Sequence, residues 1–305
     1  MNSQFWHFFP DMKDSLYFQA MQYSSCAVSD VGLCRQNNED SFLAVDEPEV
    51  PKRGQLYAVA DGMGGYAAGE TASRMVCELL EQKVNEGIDA LLLKGELDDD
   101  VIRFLLEKVV YDIHKEVFQA GRRDPELNGM GSTLSLMYLY GTKAYLGQVG
   151  DSRIYRFRNG LLEQLTEDQT EVQRYVKMGR LSAEEAETHH LRHVLSQAIG
   201  GRENSFMGAV TSVVEVLPED IFLICSDGLY DMVRDALIEQ TFRETSYDSH
   251  GSVQKLLQYA IEAGGKDNVT LLLVKARVSA TRQVLEKVLK SSFASTVVKS
   301  IRKVF

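Results

Sequence analysis

Cysteine is scarce in this chain: there are four, Cys26, Cys34, Cys77 and Cys225. No two stand at C-x-x-C spacing and they form no dense framework. A cysteine zinc site, a dithiol redox motif and a disulfide scaffold are therefore unsupported. Reduced thiols in a cytoplasmic setting are the expectation. The six histidines include no H-E-x-x-H pattern, which leaves zinc with little support. No apolar run reaches the roughly 18 residues that a spanning helix needs, so no transmembrane segment is expected. The N-terminal stretch lacks a basic leading region and carries Asp11 and Asp14, unlike a signal peptide. A G-x-x-x-x-G-K-[ST] run is absent too, which removes the P-loop reading. Positive charge is also in short supply: 33 Lys and Arg stand against 44 Asp and Glu, a formal net charge of -11. A nucleic-acid binder needs a basic face to meet phosphates, so nucleic acid is not an expected partner.

What is present is an ordinary globular chain of 305 residues, 44% apolar and 25% charged, long enough to bury a large core. Residues 1–23 form an arm rich in aromatics (Phe5, Trp6, Phe8, Phe9). Residues 24–277 read as one domain, with no internal repeat and no low-complexity linker. Strand-like runs occupy 26–32, 41–45 and 55–61, each bounded by turn residues. Two amphipathic helices follow. Ala72, Val76, Leu80, Val84 and Ile88 recur every four residues in the first, and Ile102, Leu106, Val109, Ile113 and Val117 stripe the second. From Ser132 four runs read as a meander with turns at Gly141 and Asn159-Gly160. Residues 170–190 are polar and helical in character. Strands are predicted near 209–216 and 220–225, helices near 235–245 and 252–263, and a last strand over 268–276. Runs of strands alternate with pairs of helices, which predicts antiparallel sheets covered by helix pairs, an α+β sandwich.

The acids are not evenly spread. Asn38-Glu39-Asp40, Asp61-Gly62, Gly150-Asp151-Ser152, Asp227-Gly228 and Asp267-Asn268 each put an acid at the end of an apolar strand beside Gly, Asn or Ser. Any one of these taken alone reads best as a turn, because Asp and Asn favour turns. Five in one acidic chain shift the balance, since a carboxylate at a buried strand end is costly unless something positive meets it. Carboxylates converging from several strand ends suit hard cations such as Mg²⁺ or Mn²⁺. Paired cations lower the pKa of a water and neutralise a phosphoryl group. Arg35, four residues before Glu39, supplies a fork for a phosphate. The run Gly62-Met63-Gly64-Gly65-Tyr66-Ala67 also matches a dinucleotide fingerprint. Asp61 directly before it would repel a pyrophosphate, and the following strands do not continue as βαβ units.

The order R-x-x-x-E-D, D-G-x-G-G, G-S-T, V-G-D-S-R, S-D-G and K-D-N-V-T over residues 25–276 resembles the metal-dependent protein phosphatases of the protein phosphatase 2C (PPM) family, most closely its bacterial branch. The resemblance implies a four-layer α-β-β-α sandwich of two antiparallel sheets. It implies hydrolysis of phosphoserine and phosphothreonine on proteins by a water held between two Mn²⁺ or Mg²⁺ ions, with a place for a third ion and no covalent intermediate. Carried over, Asp61 bridges the two core ions. Glu39 and the Gly62 carbonyl complete one site, Asp227 and Asp267 serve the other, and Asp40 stands close by through a water. Asp151 serves the third ion, Arg35 grips phosphate, and Asn268 supports Asp267. Many eukaryotic relatives have D-G-H where this chain has Asp61-Gly62-Met63, so the histidine usually assigned as general acid is absent. His189, His190 and His193 fall on the 170–195 segment, which corresponds to the flap beside the site. A pseudophosphatase that only binds phosphoproteins is the alternative, and it would be expected to lack a ligand; Glu39, Asp40, Asp61, Asp227 and Asp267 are all present. Phosphorylated substrates of a cognate serine/threonine kinase are the implied partners.

Residues 278–305 change character, with six bases and one acid. Leu285, Leu289, Phe293, Val297, Ile301 and Phe305 recur every four residues, which predicts a basic amphipathic tail. The tail is expected to pack on the acidic body, or else to dock a partner or a membrane surface.

Overall fold

The computed structural model describes residues 21–46, 53–65, 67–95, 97–201 and 206–278. The aromatic arm and the basic tail lie outside these residues, apart from the ends that join the body. The strands and helices run, in chain order, β1 (Met21–Asp30), β2 (Asp40–Val45), β3 (Gln55–Met63), α1 (Ala67–Lys94), α2 (Asp99–Arg123), β4 (Gly131–Ser132), β5 (Leu134–Tyr140), β6 (Lys143–Val149), β7 (Arg153–Arg158) and β8 (Leu161–Gln164). They continue as α3 (Glu171–Lys177), α4 (Ala183–Thr188), β9 (Ile199–Gly200), β10 (Val210–Glu215), β11 (Ile221–Cys225), α5 (Asp227–Tyr230), α6 (Asp235–Glu244), α7 (Ser249–Glu262) and β12 (Val269–Val278).

The strands form two sheets. One has the order β1-β12-β11-β7-β8; the other runs β10-β6-β5-β3-β4-β9, with β2 also paired to β3. Every pairing is antiparallel.

Strand parity explains the layers, because neighbouring side chains on a strand face opposite ways. On β3, Leu56, Ala58 and Ala60 pack toward α1 and α2. Tyr57 and Val59, between them in sequence, pack into the space between the sheets. On β11, Leu223 and Cys225 join the helical side while Phe222 and Ile224 join the inter-sheet core. On β12, Leu271 and Leu273 split from Leu272 and Val274 in the same way. Three apolar cores therefore separate four layers: α1 and α2, two sheets, then α6 and α7. Strands with both faces covered read as continuous apolar runs, as 271–274 do.

The helix periodicity carries through. Ala72, Val76, Leu80, Val84 and Ile88 of α1 and Ile102, Leu106, Val109, Ile113 and Val117 of α2 are all buried in one core. The Asp98 side chain accepts from the Val101 N–H at 2.9 Å and fixes the start of α2. At the β5–β6 turn Gly141 has φ 64°, and at the β7–β8 turn Asn159 and Gly160 have φ 53° and 84°, the left-handed pair that a tight hairpin needs.

The predicted meander is corrected. β5 and β6 form a hairpin in one sheet, and β7 and β8 form a hairpin in the other. The chain crosses between the sheets at Gly150-Asp151-Ser152. Gly150 has φ 92°, and a Cβ there would stand 2.7 Å from a Thr133 methyl, so only glycine makes this crossing without strain.

Candidate metal centre

Antiparallel pairing brings the acidic strand ends together. Asp40 opens β2 directly opposite Asp61 near the end of β3. β11 runs into Asp227, β12 starts just after Asp267, and the crossing between the sheets carries Asp151. All five therefore lie at one end of the sandwich.

Their mutual effect shows in their protonation. Burial first, then Asp40, Asp227, Asp151 and Asp267, push the Asp61 carboxyl far above the usual carboxylate range. Burial, then Asp151, Asp267, Asp231 and Asp40, do the same to Asp227. Burial raises Asp151 to about 7, with Asp168 adding to it. Burial raises Asp40 to about 6, against the pull of the Thr270 and Ser226 hydroxyls. Glu39 is raised by burial, opposed by Arg35. Two buried carboxylate oxygens, Asp40 Oδ1 and Asp227 Oδ1, have no hydrogen-bond partner. Such groups cost free energy unless a cation meets them.

Backbone and hydroxyl contacts set the positions. The Asp61 N–H donates to Thr133 Oγ1 at 2.9 Å, and that oxygen lies 2.7 Å from Ser152 Oγ. Thr133 thus ties Asp61 to the loop bearing Asp151, which gives the G-S-T motif a physical role. Ser226 Oγ donates to Asp40 Oδ2 at 2.7 Å. The Gly62 N–H donates to the Glu39 carbonyl at 3.1 Å, and Ser73 Oγ of α1 donates to that same oxygen at 2.6 Å. Close approach of backbone requires glycine at 62, and glycine at 69 leaves room for the Glu39 carboxylate. A Cβ on Gly62 would stand 2.1 Å from the Gly69 carbonyl oxygen, and one on Gly69 would stand 2.3 Å from Glu39 Oε2.

Two expectations change in detail. Asn268 does not brace Asp267 with its side chain. Its Oδ1 accepts from the Glu39 N–H at 2.8 Å and its Nδ2 donates to the carbonyls of Val31 and Asn37 at 3.0 and 2.9 Å, so it pins the loop that carries Arg35 and Glu39. Only its backbone N–H reaches Asp267, at 2.8 Å. Arg35 does not present an open fork: Nη2 donates to Asp267 Oδ2 at 2.6 Å, at the exposed rim of the centre. His189 and His190 stack on each other at 4.4 Å, and the His189 Nδ1 accepts from the Leu191 N–H. His193, in contrast, reaches the acidic end, 3.5 Å from Asp231.

An all-oxygen donor set, two orphaned carboxylate oxygens and a glycine cradle fit hard divalent cations. The family model of protein phosphatase 2C matches residues 35–262. This chain belongs to the protein phosphatase 2C family.

Among curated relatives of this protein phosphatase 2C member, the serine/threonine protein phosphatase PstP of Mycobacterium tuberculosis is 36% identical over 253 residues, 81% of this chain and 44% of PstP. The chain thus spans less than half of that relative. The serine/threonine phosphatase stp of Listeria innocua is 33% identical over 247 residues, 81% of this chain and 93% of its own. The solved catalytic domain of PstP, in complex with two manganese ions, superposes with a TM-score of 0.69 at 33% identity, covering 84% of this chain and 99% of that one. The four-layer architecture expected from the sequence is the family's.

Sequence reasoning missed Asp231, Thr133 and Ser226 as parts of the site. Asp231 follows Asp227 by four residues, a spacing that puts both carboxylates on one side of a helical turn. That signal was available.

Proposed function

We propose that this chain is a metal-dependent serine/threonine protein phosphatase that takes phosphoserine and phosphothreonine proteins as substrates. The convergence of Asp40, Asp61, Asp151, Asp227 and Asp267 at one end of the sandwich, with two orphaned carboxylate oxygens, carries the reading. Asp61, Glu39 and the Gly62 carbonyl would hold one ion, Asp61, Asp227 and Asp267 the other, and Asp151 would contribute to a third. Bound Mn²⁺ or Mg²⁺ supplies Lewis acidity that lowers the pKa of a water and offsets the charge of a phosphoryl group.

The rest falls to the chain. Asp40 stands behind Asp61, directly across the strand pair, and orients what its free oxygen meets. Arg35 sits at the rim, half exposed and held over Asp267, and turns its guanidinium to a phosphate when one arrives. Met63 has no proton to give, so the leaving oxygen takes its proton from elsewhere than this position. The buried Cys225 thiol is pushed well up by its burial and is not activated as a nucleophile. No helix among the described residues is long and apolar enough to cross a membrane. A cytoplasmic location and opposition to a serine/threonine kinase accord with this function. The domain limits 24–277 belong to the same reading, with the basic tail either packed on the acidic body or docking a partner.

Turnover of p-nitrophenyl phosphate and a phosphothreonine peptide with Mn²⁺, with Mg²⁺ and with EDTA tests it. Activity lost in EDTA and restored by Mn²⁺ is expected. Folded protein inert under every ion would overturn the reading in favour of a phosphoprotein-binding pseudophosphatase.

A further inference from the structure

We propose that His193 is a nitrogen ligand to a divalent cation shared with Asp227 and Asp231, so that the 170–195 segment is tied to the metal centre by an ion as well as by its own backbone. The inference rests on the assignment of Asp227 as a metal ligand and adds to it a donor of different chemistry.

The geometry comes from two directions. On the sheet side, the Asp231 N–H donates to the Asp227 carbonyl at 3.0 Å, one helical turn that sets both carboxylates on the same side. On the other side, the 189–194 turn is closed by Arg192 N–H to His189 O at 3.1 Å and Val194 N–H to Leu191 O at 3.0 Å. The Glu171 N–H donates to Val194 O at 2.8 Å and the Ser196 N–H to Gln169 O at 2.8 Å. The backbone on either side of His193 is therefore fixed, although its imidazole is 44% exposed.

One ligand atom from each of His193, Asp227 and Asp231 lies within 4.8 Å of the other two. Ligands held at roughly 2.0–2.2 Å from one cation are about 3 Å apart when adjacent and about 4.3 Å apart when opposite, so the three atoms need only a small closing movement. His193 Nδ1 and Asp231 Oδ2 are 3.5 Å apart, longer than a hydrogen bond, so the pair is close without being joined. A second observation concerns the shared aspartate. Asp227 Oδ1 is buried and has no partner. Burial and then Asp151 and Asp267 raise Asp227, while burial raises Asp231 against the pull of Arg192 and Arg153, so the corner carries an excess of negative charge.

An imidazole among carboxylates changes which ion is preferred. Mg²⁺ favours oxygen donors, whereas Mn²⁺ accepts nitrogen more readily. This position therefore takes Mn²⁺ over Mg²⁺, while the all-oxygen core positions discriminate less. Cation binding here and the placement of the 170–195 segment are linked, each favouring the other.

The test is electron paramagnetic resonance of the full chain loaded with Mn²⁺, with spin-echo modulation to detect directly bound nitrogen and ¹⁵N-histidine labelling to assign it. Wild-type protein is expected to show an Mn²⁺ with a coordinated histidine nitrogen. His193→Gln should lose that signal, keep its core ions, and bind its weakest Mn²⁺ at least about tenfold less tightly. His190→Gln on the same turn should keep the signal. Mn²⁺ bound without a histidine nitrogen, or a nitrogen signal surviving His193→Gln, would overturn the proposal and leave the core assignment standing. A wild-type protein that binds no Mn²⁺ at all would bring down both.

Discussion

The two ends of the sandwich treat buried acids in opposite ways. At the end where β11 begins, Asp220 is almost fully buried, with 1% of its side chain exposed. Arg158 grips it through Nε and Nη2 at 2.7 and 2.6 Å, and the Leu217 N–H donates to it at 2.7 Å. Where β11 ends, Asp61 and Asp227 lie among other acids, and Asp227 Oδ1 meets no donor at all. The same strand thus carries one acid that the protein satisfies from its own residues and leads into another that it leaves unsatisfied. A buried carboxylate with partners holds the fold, whereas one packed against its own kind needs a proton or a cation from outside.

The contrast can be broken by exchanging each acid for its amide. Asp61→Asn removes a ligand charge with almost no change of shape. Turnover with Mn²⁺ should fall by about 10³-fold or more, on the order of 4 kcal/mol of transition-state stabilisation, while the protein stays folded. Retained turnover would remove Asp61 from the centre. Asp220→Asn should do the reverse: it leaves Arg158 without its countercharge and costs about 2–3 kcal/mol, a drop in Tm of roughly 4–10 °C, with activity per folded molecule unchanged. Thermal melts and single-concentration assays on the two variants read both effects.

A smaller effect sharpens the contrast. Asp40 and Asp151 are raised to about 6 and about 7, well above the usual carboxylate value near 4 in the unfolded chain. Between roughly pH 4 and pH 7 the ion-free folded state therefore binds more protons than the unfolded one, so its stability falls as pH rises through this window. Ion-free protein should melt lower at pH 8 than at pH 5. Mn²⁺ should raise the melting temperature most at pH 8, because cation binding needs the carboxylates ionised and releases their protons. Equal slopes with and without Mn²⁺ would show that these acids do not meet the cation.

Much of this was legible in the chain before any coordinates. The stripes of α1 and α2 are set by a 3.6-residue period, and each residue of the repeat stays buried in the structure. The turns at Gly141 and Asn159-Gly160 follow from residues that accept positive φ. The acids beside glycine at strand ends each read singly as a turn, and it was their number in one acidic chain that pointed toward a cation. Other features had no local signal. β4 and β9 are two residues each: Gly131 and Ser132 pair with Met63 and Gly62 of β3 on one side and with Gly200 and Ile199 on the other, partners far away in the chain. The passage of the chain from one sheet to the other at Gly150 turned a supposed meander into two hairpins, since strand runs of equal character do not say which sheet they join. Asn268 binding the Glu39 loop, Arg35 held by Asp267 and His193 approaching Asp231 join residues far apart in sequence. Periods, turns and the chemistry available at each strand end were set locally, because those depend on neighbours a few residues away. Which of these groups share one space was settled by the fold, because that depends on how strands as distant as β1 and β12, which set Met21 opposite Val278, pair and cross.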